Sequence, residues 1–166
     1  MSSLPLYKIV IAGDENVGKT SLVRQYCEGR FETSRVSTIG VDFQTKVMSL
    51  PDGDVKLSIW DMAGQEHFEV VRSGFFRGAR ATALVYDLSA PDTLKHLQRW
   101  YEETCANCTC QKFVVVGNKL DLVDKRDTEV AEKFAQLIGA EHLVTSAATA
   151  EGVEELFLKL ADLANG

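Results

Sequence analysis

The chain lacks any apolar run approaching the roughly 20 residues that span a bilayer. MSSLPLYKIVIAG has no basic region followed by a long apolar stretch and cleavage site, so it does not read as a secretory leader. A cytoplasmic location is therefore expected. LADLANG, at the other end, carries no prenylatable cysteine. Either the protein is not anchored that way, or a lipidated tail that would reach a membrane lies outside this sequence. A basic excess is also missing. Lys and Arg number 18 against 24 Asp and Glu, a net charge of −6. Nucleic-acid and membrane-surface binders need a basic face, so neither is an expected partner. Linkers, repeats and low-complexity segments are absent, and 166 residues suggest one domain over 1–166. A closed zinc site is not indicated either. Cys105, Cys108 and Cys110 in CANCTCQK have no histidine close by to complete four ligands, so free surface thiols are expected. Cys27 lies in a helical pattern and is expected to pack. Asn107-Cys108-Thr109 fits a glycosylation pattern that a cytoplasmic chain would leave unmodified.

What is present is an ordinary folding composition, 45% hydrophobic and 25% charged. Four short β-branched runs read as buried strands: 7–13, 82–88, 112–118 and 142–146. Helical patterns lie between them. Val130, Phe134, Leu137 and Ile138 follow helical spacing, with Gly139 as a natural stop. Val153, Leu156, Phe157, Leu160 and Leu163 mark one face of another helix. Strand–helix alternation implies right-handed crossovers and a mostly parallel sheet covered on both sides. VDFQTKVMSL and DVKLSIW flank Pro51-Asp52-Gly53-Asp54 and read as a hairpin. The expected fold is α/β, a three-layer domain with a six-stranded mostly parallel sheet. One antiparallel edge strand should lie near 41–50.

Gly13-Asp14-Glu15-Asn16-Val17-Gly18-Lys19-Thr20 matches G-x-x-x-x-G-K-[ST], after a predicted strand and opening a predicted helix. Glycines let the backbone curl so that successive N–H groups face phosphate, and the helix start adds its dipole. Lys19 would reach the β- and γ-phosphates, and Thr20 would ligate Mg²⁺. Phosphate contacts are expected from Glu15 through Ser21: Glu15, Asn16, Val17, Gly18, Lys19, Thr20 and Ser21. Two acids in an anion-binding loop pose a puzzle. Backbone amides do the binding, which leaves the side chains of Asp14 and Glu15 free to point elsewhere.

Asn118-Lys119-Leu120-Asp121 follows a strand at the edge where α/β folds bind ligands. An ionised Asp121 only accepts hydrogen bonds. Guanine offers it two adjacent donors, N1–H and the exocyclic amine, whereas adenine would face it with a lone pair. Such hydrogen bonding discriminates strongly. Asp61 ends a strand and begins Asp61-Met62-Ala63-Gly64-Gln65. Its carboxylate can hold Mg²⁺ through water, the Gly64 N–H can approach a γ-phosphate, and Gln65 can orient water.

Together these residues resemble the Ras superfamily of small GTPases and, within it, the Rab family. The Rab-like segments are TIGVDF (38–43), KLSIWDMAGQE (56–66), FFRGA (75–79) and LVYDLS (84–89). The resemblance covers nearly the whole chain and implies the P-loop NTPase-type fold. It also implies a monomeric switch that binds GTP or GDP with Mg²⁺, slowly hydrolyses GTP, and recruits effectors in vesicle trafficking. Exchange factors and GTPase-activating proteins would set its rates. By resemblance, Thr38 ligates Mg²⁺ in the GTP state, Phe31 stacks near guanine, and Ser146 and Ala147 support base recognition. Phe43, Trp60 and Phe75, with Ile39, would face effectors; packing between hairpin and helix is the alternative for the aromatics. Lys19 and Gln65 would carry the catalysis.

The chain departs from the family at several positions. Ala148 stands where Lys usually follows TSA, which removes a stem over the base. Met62 replaces the usual Thr. Glu15 stands where a small residue is usual, beside the γ-phosphate, where a like charge costs roughly 2–4 kcal/mol at an effective dielectric near 20. Arg35, three residues before Thr38, has the offset of the built-in arginine that this stretch resembles in heterotrimeric G-protein α subunits. Three readings stay open: Arg35 as a catalytic finger in cis, Arg35 paired with Glu15 as a latch, or both side chains solvated. The Glu15 charge also supports an alternative function, a GTP-dependent binding module with negligible hydrolysis.

Overall fold

The computed structural model describes residues 4–31, 41–62, 64, 69–108, 112–124 and 127–166, with only the backbone of Glu69 and Val71. The chain runs β1 (Leu6–Ala12), α1 (Lys19–Glu28), β2 (Val41–Leu50), β3 (Gly53–Met62), α2 (Glu69–Ser73) and β4 (Ala81–Asp87). It continues α3 (Pro91–Lys95), α4 (Leu97–Asn107), β5 (Phe113–Asn118), α5 (Glu129–Leu137), β6 (Glu141–Val144) and α6 (Val153–Asn165). The six strands form one sheet in the order β2-β3-β1-β4-β5-β6. Only the β2–β3 pairing is antiparallel. The hairpin closes at Leu50 opposite Gly53, so its turn residues are Pro51 and Asp52, within the expected 51–54 segment, and Gly53 already belongs to β3.

Alternation along the strands explains the two layers of core. Ile9 and Ile11 point to one face of β1, and Val10 and Ala12 to the other. On the first face the sheet packs against Leu22, Val23 and Tyr26 of α1 and Leu156, Phe157 and Leu160 of α6. The rings of Tyr26 and Phe157 stack at 4.2 Å. On the second face lie Phe76, Leu97, Trp100, Ala131 and Ala135. β1, β4 and β5 are covered from both sides, so their sequences are near-continuous apolar runs.

Three details add to or correct the sequence reading. The inner face of α5 is Ala131 and Ala135, flanked by half-buried Phe134 and Ile138. Val130 and Leu137 are 68% and 86% exposed, because small residues let α5 lie close to the sheet. Cys108 is buried rather than a surface thiol, and its Sγ donates to the Ala79 carbonyl at 3.3 Å. Cys27 and Cys105 are half-buried, and Cys110 lies outside the described residues. Met62 is fully buried in the second core layer, which gives this departure a packing role.

The chain leaves β1 toward β3 but leaves β4 toward β5, so a crevice opens at their C-terminal ends. Open α/β sheets bind ligands at such a reversal. Residues 13–20 and 118–121 emerge at this edge.

Candidate functional site

The phosphate-loop backbone alternates in hand. Asn16 has φ 67° and Gly18 has φ 99°, and this curls successive N–H groups inward as an anion nest. Gly18 also caps α1 without a side-chain hydrogen bond, which leaves the first-turn amides for a ligand. A Cβ on Gly18 would lie 2.3 Å from Asn118 Nδ2, so the loop and the 118–121 segment can meet only at glycine.

Lys19 is buried, and its Nζ donates to the Asp14 carbonyl at 2.7 Å. Burial pushes its pKa down to about 8 from 10.5, against the pull of Asp61 and Asp14. A lysine lowered on folding makes stability rise with pH, because between about 8 and 10.5 the unfolded chain holds the proton and the folded one does not. An anionic ligand restores the charged form. Binding of a phosphate-bearing ligand in the loop at pH 9 is therefore expected to take up protons, with much less uptake at pH 7. Calorimetry in two buffers of different ionisation enthalpy reads the difference; equal uptake at both pH values would contradict it.

The Thr20 hydroxyl donates to the Asp61 carboxylate, which is buried at the end of β3. A cavity of about 280 Å³ opens beside them, between α1 and the β2–β3 hairpin. A hydroxyl and a carboxylate in contact, next to a phosphate cradle, are hard oxygen donors that suit Mg²⁺. Among the described residues no cluster of three or more His, Cys, Asp or Glu could hold another metal.

Asn118 links the two halves of the site. Its Nδ2 donates to the Val17 carbonyl at 3.0 Å, and its Oδ1 accepts from Thr145 Oγ1 at 2.9 Å. Lys119 has φ 68°, and its Nζ pairs with Asp87 at 3.0 Å. Asp121 remains exposed, with Oδ1 accepting from Ser146 Oγ at 2.7 Å. The Ser146 hydroxyl also accepts from the Thr149 N–H at 3.1 Å, so its donor direction is fixed toward Asp121. Ala147 is buried, and its carbonyl accepts from Gln25 Nε2 of α1 at 2.8 Å. Phe31, past the end of α1, stays exposed.

The two acids of the loop separate in role. Asp14 turns outward. Its Oδ1 accepts from Trp100 Nε1 at 2.8 Å, and its Oδ2 contacts His96 Nδ1. Glu15 is half-buried beside Gly64, where a Cβ on Gly64 would fall 2.3 Å from the Glu15 nitrogen. Gly64 therefore packs directly on the Asp14–Glu15 peptide.

Phe43, Trp60 and Phe75 form a continuous stack, with centroids 5.1 Å and 5.5 Å apart. Lys8 Nζ lies 4.3 Å from the centre of the Trp60 ring. Phe43 remains 57% exposed, so the stack bridges strand and loop and still shows apolar surface. Arg35, Thr38, Ile39 and Gln65 lie outside the described residues. Sequence reading missed Thr145 and Asp87, which orient Asn118 and Lys119. An acid ending the run TALVYD was the available signal for Asp87. It also missed Trp100, which reads simply as an apolar helix residue.

The sequence model of the Ras family matches residues 8–165. The chain is 40% identical to the Ras-related protein RABA4b of Arabidopsis thaliana, over 92% of this chain and 69% of that protein. It is also 40% identical to the human Ras-related protein Rab-30, over 94% of this chain and 78% of that one. Ras-related protein Rab11D of Nicotiana tabacum matches at 40% over 92% of this chain and 70% of its own length. With a phosphate nest, a hard-oxygen pair and an exposed carboxylate on one sheet edge, the chain belongs to the Ras family of small GTPases and is Rab-related.

Proposed function

We propose that the protein is a guanine-nucleotide switch that hydrolyses GTP slowly and, in the GTP state, recruits effectors in membrane trafficking. The observation that carries the reading is the pair of Ser146–Asp121 and Asn118–Val17 hydrogen bonds, which hold an exposed, acceptor-only carboxylate and the 13–20 loop on one sheet edge. Asp121 accepts the base N1–H and amine. The loop amides and Lys19 surround the β- and γ-phosphates and neutralise charge that builds as the γ-phosphoryl leaves. Thr20, Asp61 and Thr38 would hold Mg²⁺, which when bound would supply further neutralisation there. Gln65 orients the attacking water, and the segments around Thr38 and Gly64 order on the γ-phosphate and relax without it. Phe43, Trp60 and Phe75, with Ile39, form the effector face. No helix among the described residues is long and apolar enough to cross a membrane.

Glu15 keeps a second reading in play, a GTP-dependent binding module with negligible turnover. Single-turnover GTP hydrolysis with Mg²⁺ and no partner separates the two. The native chain is expected to turn over, and Gln65→Leu to slow it at least tenfold, about 1.4 kcal/mol of barrier. A native rate no greater than that of Gln65→Leu favours the binding module. In the same assay, a tenfold loss in Arg35→Ala supports the finger in cis. An unchanged Arg35→Ala with a faster Glu15→Gly identifies Glu15 as a brake.

A further inference from the structure

We propose that Trp100 is a positioning residue that ties the phosphate loop to α2, so that a change at α2 alters how tightly the loop holds a nucleoside diphosphate. The inference takes its ligand from the guanine-nucleotide reading above; its geometry stands independently. Trp100 projects from α4 and is 2% exposed. Its indole Nε1–H donates to Asp14 Oδ1 at 2.8 Å. His96 and Arg99 also face this carboxylate, the latter at 3.8 Å. A hydrogen bond to an ionised acceptor is roughly twice as strong as a neutral one, so the Asp14 side chain is firmly held. The backbone carbonyl of the same residue takes the Lys19 ammonium at 2.7 Å. Moving Asp14 therefore moves the group that orients the phosphate-facing lysine.

The other side of Trp100 belongs to α2. The Arg72 guanidinium lies 4.3 Å from the indole centroid. It also pairs with Glu103, one turn along α4, through Nε at 2.9 Å and Nη2 at 2.6 Å. This fork is nearly dry, and α4 is the helix against which α2 chiefly packs. A rigid planar cation held between a carboxylate and an aromatic face cannot shift without moving one or both. α2 thus reaches the loop along Arg72, Trp100 and Asp14, with Glu103 fixing the first of them. α2 itself has five residues, and Val70, two residues before the buried Arg72, is 86% exposed, so a partner that engages α2 there acts on the short helix that carries Arg72.

The test is a cycle of release rates for GDP carrying an N-methylanthraniloyl label, with Mg²⁺ present. Trp100→Phe keeps an aromatic ring for Arg72 and removes the N–H together with the smaller part of the bicycle. Paired Arg72→Leu and Glu103→Leu removes the α2 link without leaving a buried charge alone. Each is expected to speed release about fivefold, and all three changes together to be no faster than about twice the faster variant. Unchanged release in Trp100→Phe, or a combined effect equal to the product of the separate ones, overturns the proposal. A native chain that retains no labelled GDP defeats the nucleotide reading instead. The link is then judged on deuterium exchange at the Trp100 indole N–H. Faster exchange in the paired Leu variant supports it, and unchanged exchange overturns it.

Discussion

Arg72→Ala is expected to lower stability by about 3–5 kcal/mol, the cost of leaving a buried charge without its partner. The Arg72 and Glu103 side chains are only 4% and 7% exposed. Solvent therefore screens the pair little and cannot rescue the orphaned carboxylate. The truncation also uncovers the Trp100 ring face on which the guanidinium rests. For a domain of this size the loss corresponds to a fall in Tm of roughly 10 °C. Replacing both partners by Leu should recover most of it, because a dry ion pair contributes little net stability over apolar side chains of similar volume. Calorimetric unfolding at a fixed nucleotide concentration distinguishes these cases. A loss below about 1 kcal/mol in Arg72→Ala would mean that water reaches Glu103 and that the pair is a surface ion pair.

Asp121→Asn should change which base the protein accepts. The carboxylate can take two guanine donors, whereas an amide presents one acceptor and one donor. The donor then faces the guanine amine, and affinity for GDP should fall at least about a thousandfold, as when a polar site meets the wrong partner. Xanthine keeps N1–H but carries a carbonyl in place of the amine, so xanthosine diphosphate should become the better ligand. The Ser146 hydroxyl donates to Asp121 Oδ1 at 2.7 Å, and the amide oxygen of Asn can accept the same bond. Orientation should survive the swap, and because Asp121 is exposed, stability should change little. Competition of the two diphosphates against labelled GDP reads the outcome. Unchanged preference for GDP would show that Asp121 does not touch the base.

The sheet was legible because its chemistry is local. β1, β4 and β5 are β-branched runs between turn residues, and the Pro51–Asp54 turn sits between alternating strands. The phosphate loop and the 118–121 segment were legible for a related reason. Their geometry rests on backbone curvature and a few fixed offsets, which a short stretch of sequence displays whole. The spacing in 128–139 showed a helix but not which residues it buries: close helix–sheet approach placed Ala131 and Ala135 on the inner face and left Val130 and Leu137 exposed. The Asp14–Trp100 bond joins positions 86 apart and the Arg72–Glu103 pair joins positions 31 apart. Such contacts arise only when three elements pack together, so no local pattern announces them. The outward turn of Asp14 resolves half of the puzzle of two acids in an anion loop: one of them is an anchor for α4. Glu15 is half-buried beside Gly64, and the hydrolysis series addresses its role directly.

The most direct measurement is calorimetric titration of nucleotide-free protein with GDP and with ADP, both with Mg²⁺. The account predicts one site that binds GDP at least about a thousandfold more tightly than ADP, the selectivity expected of a paired acceptor. Comparable affinity for the two, or binding of neither, would contradict it.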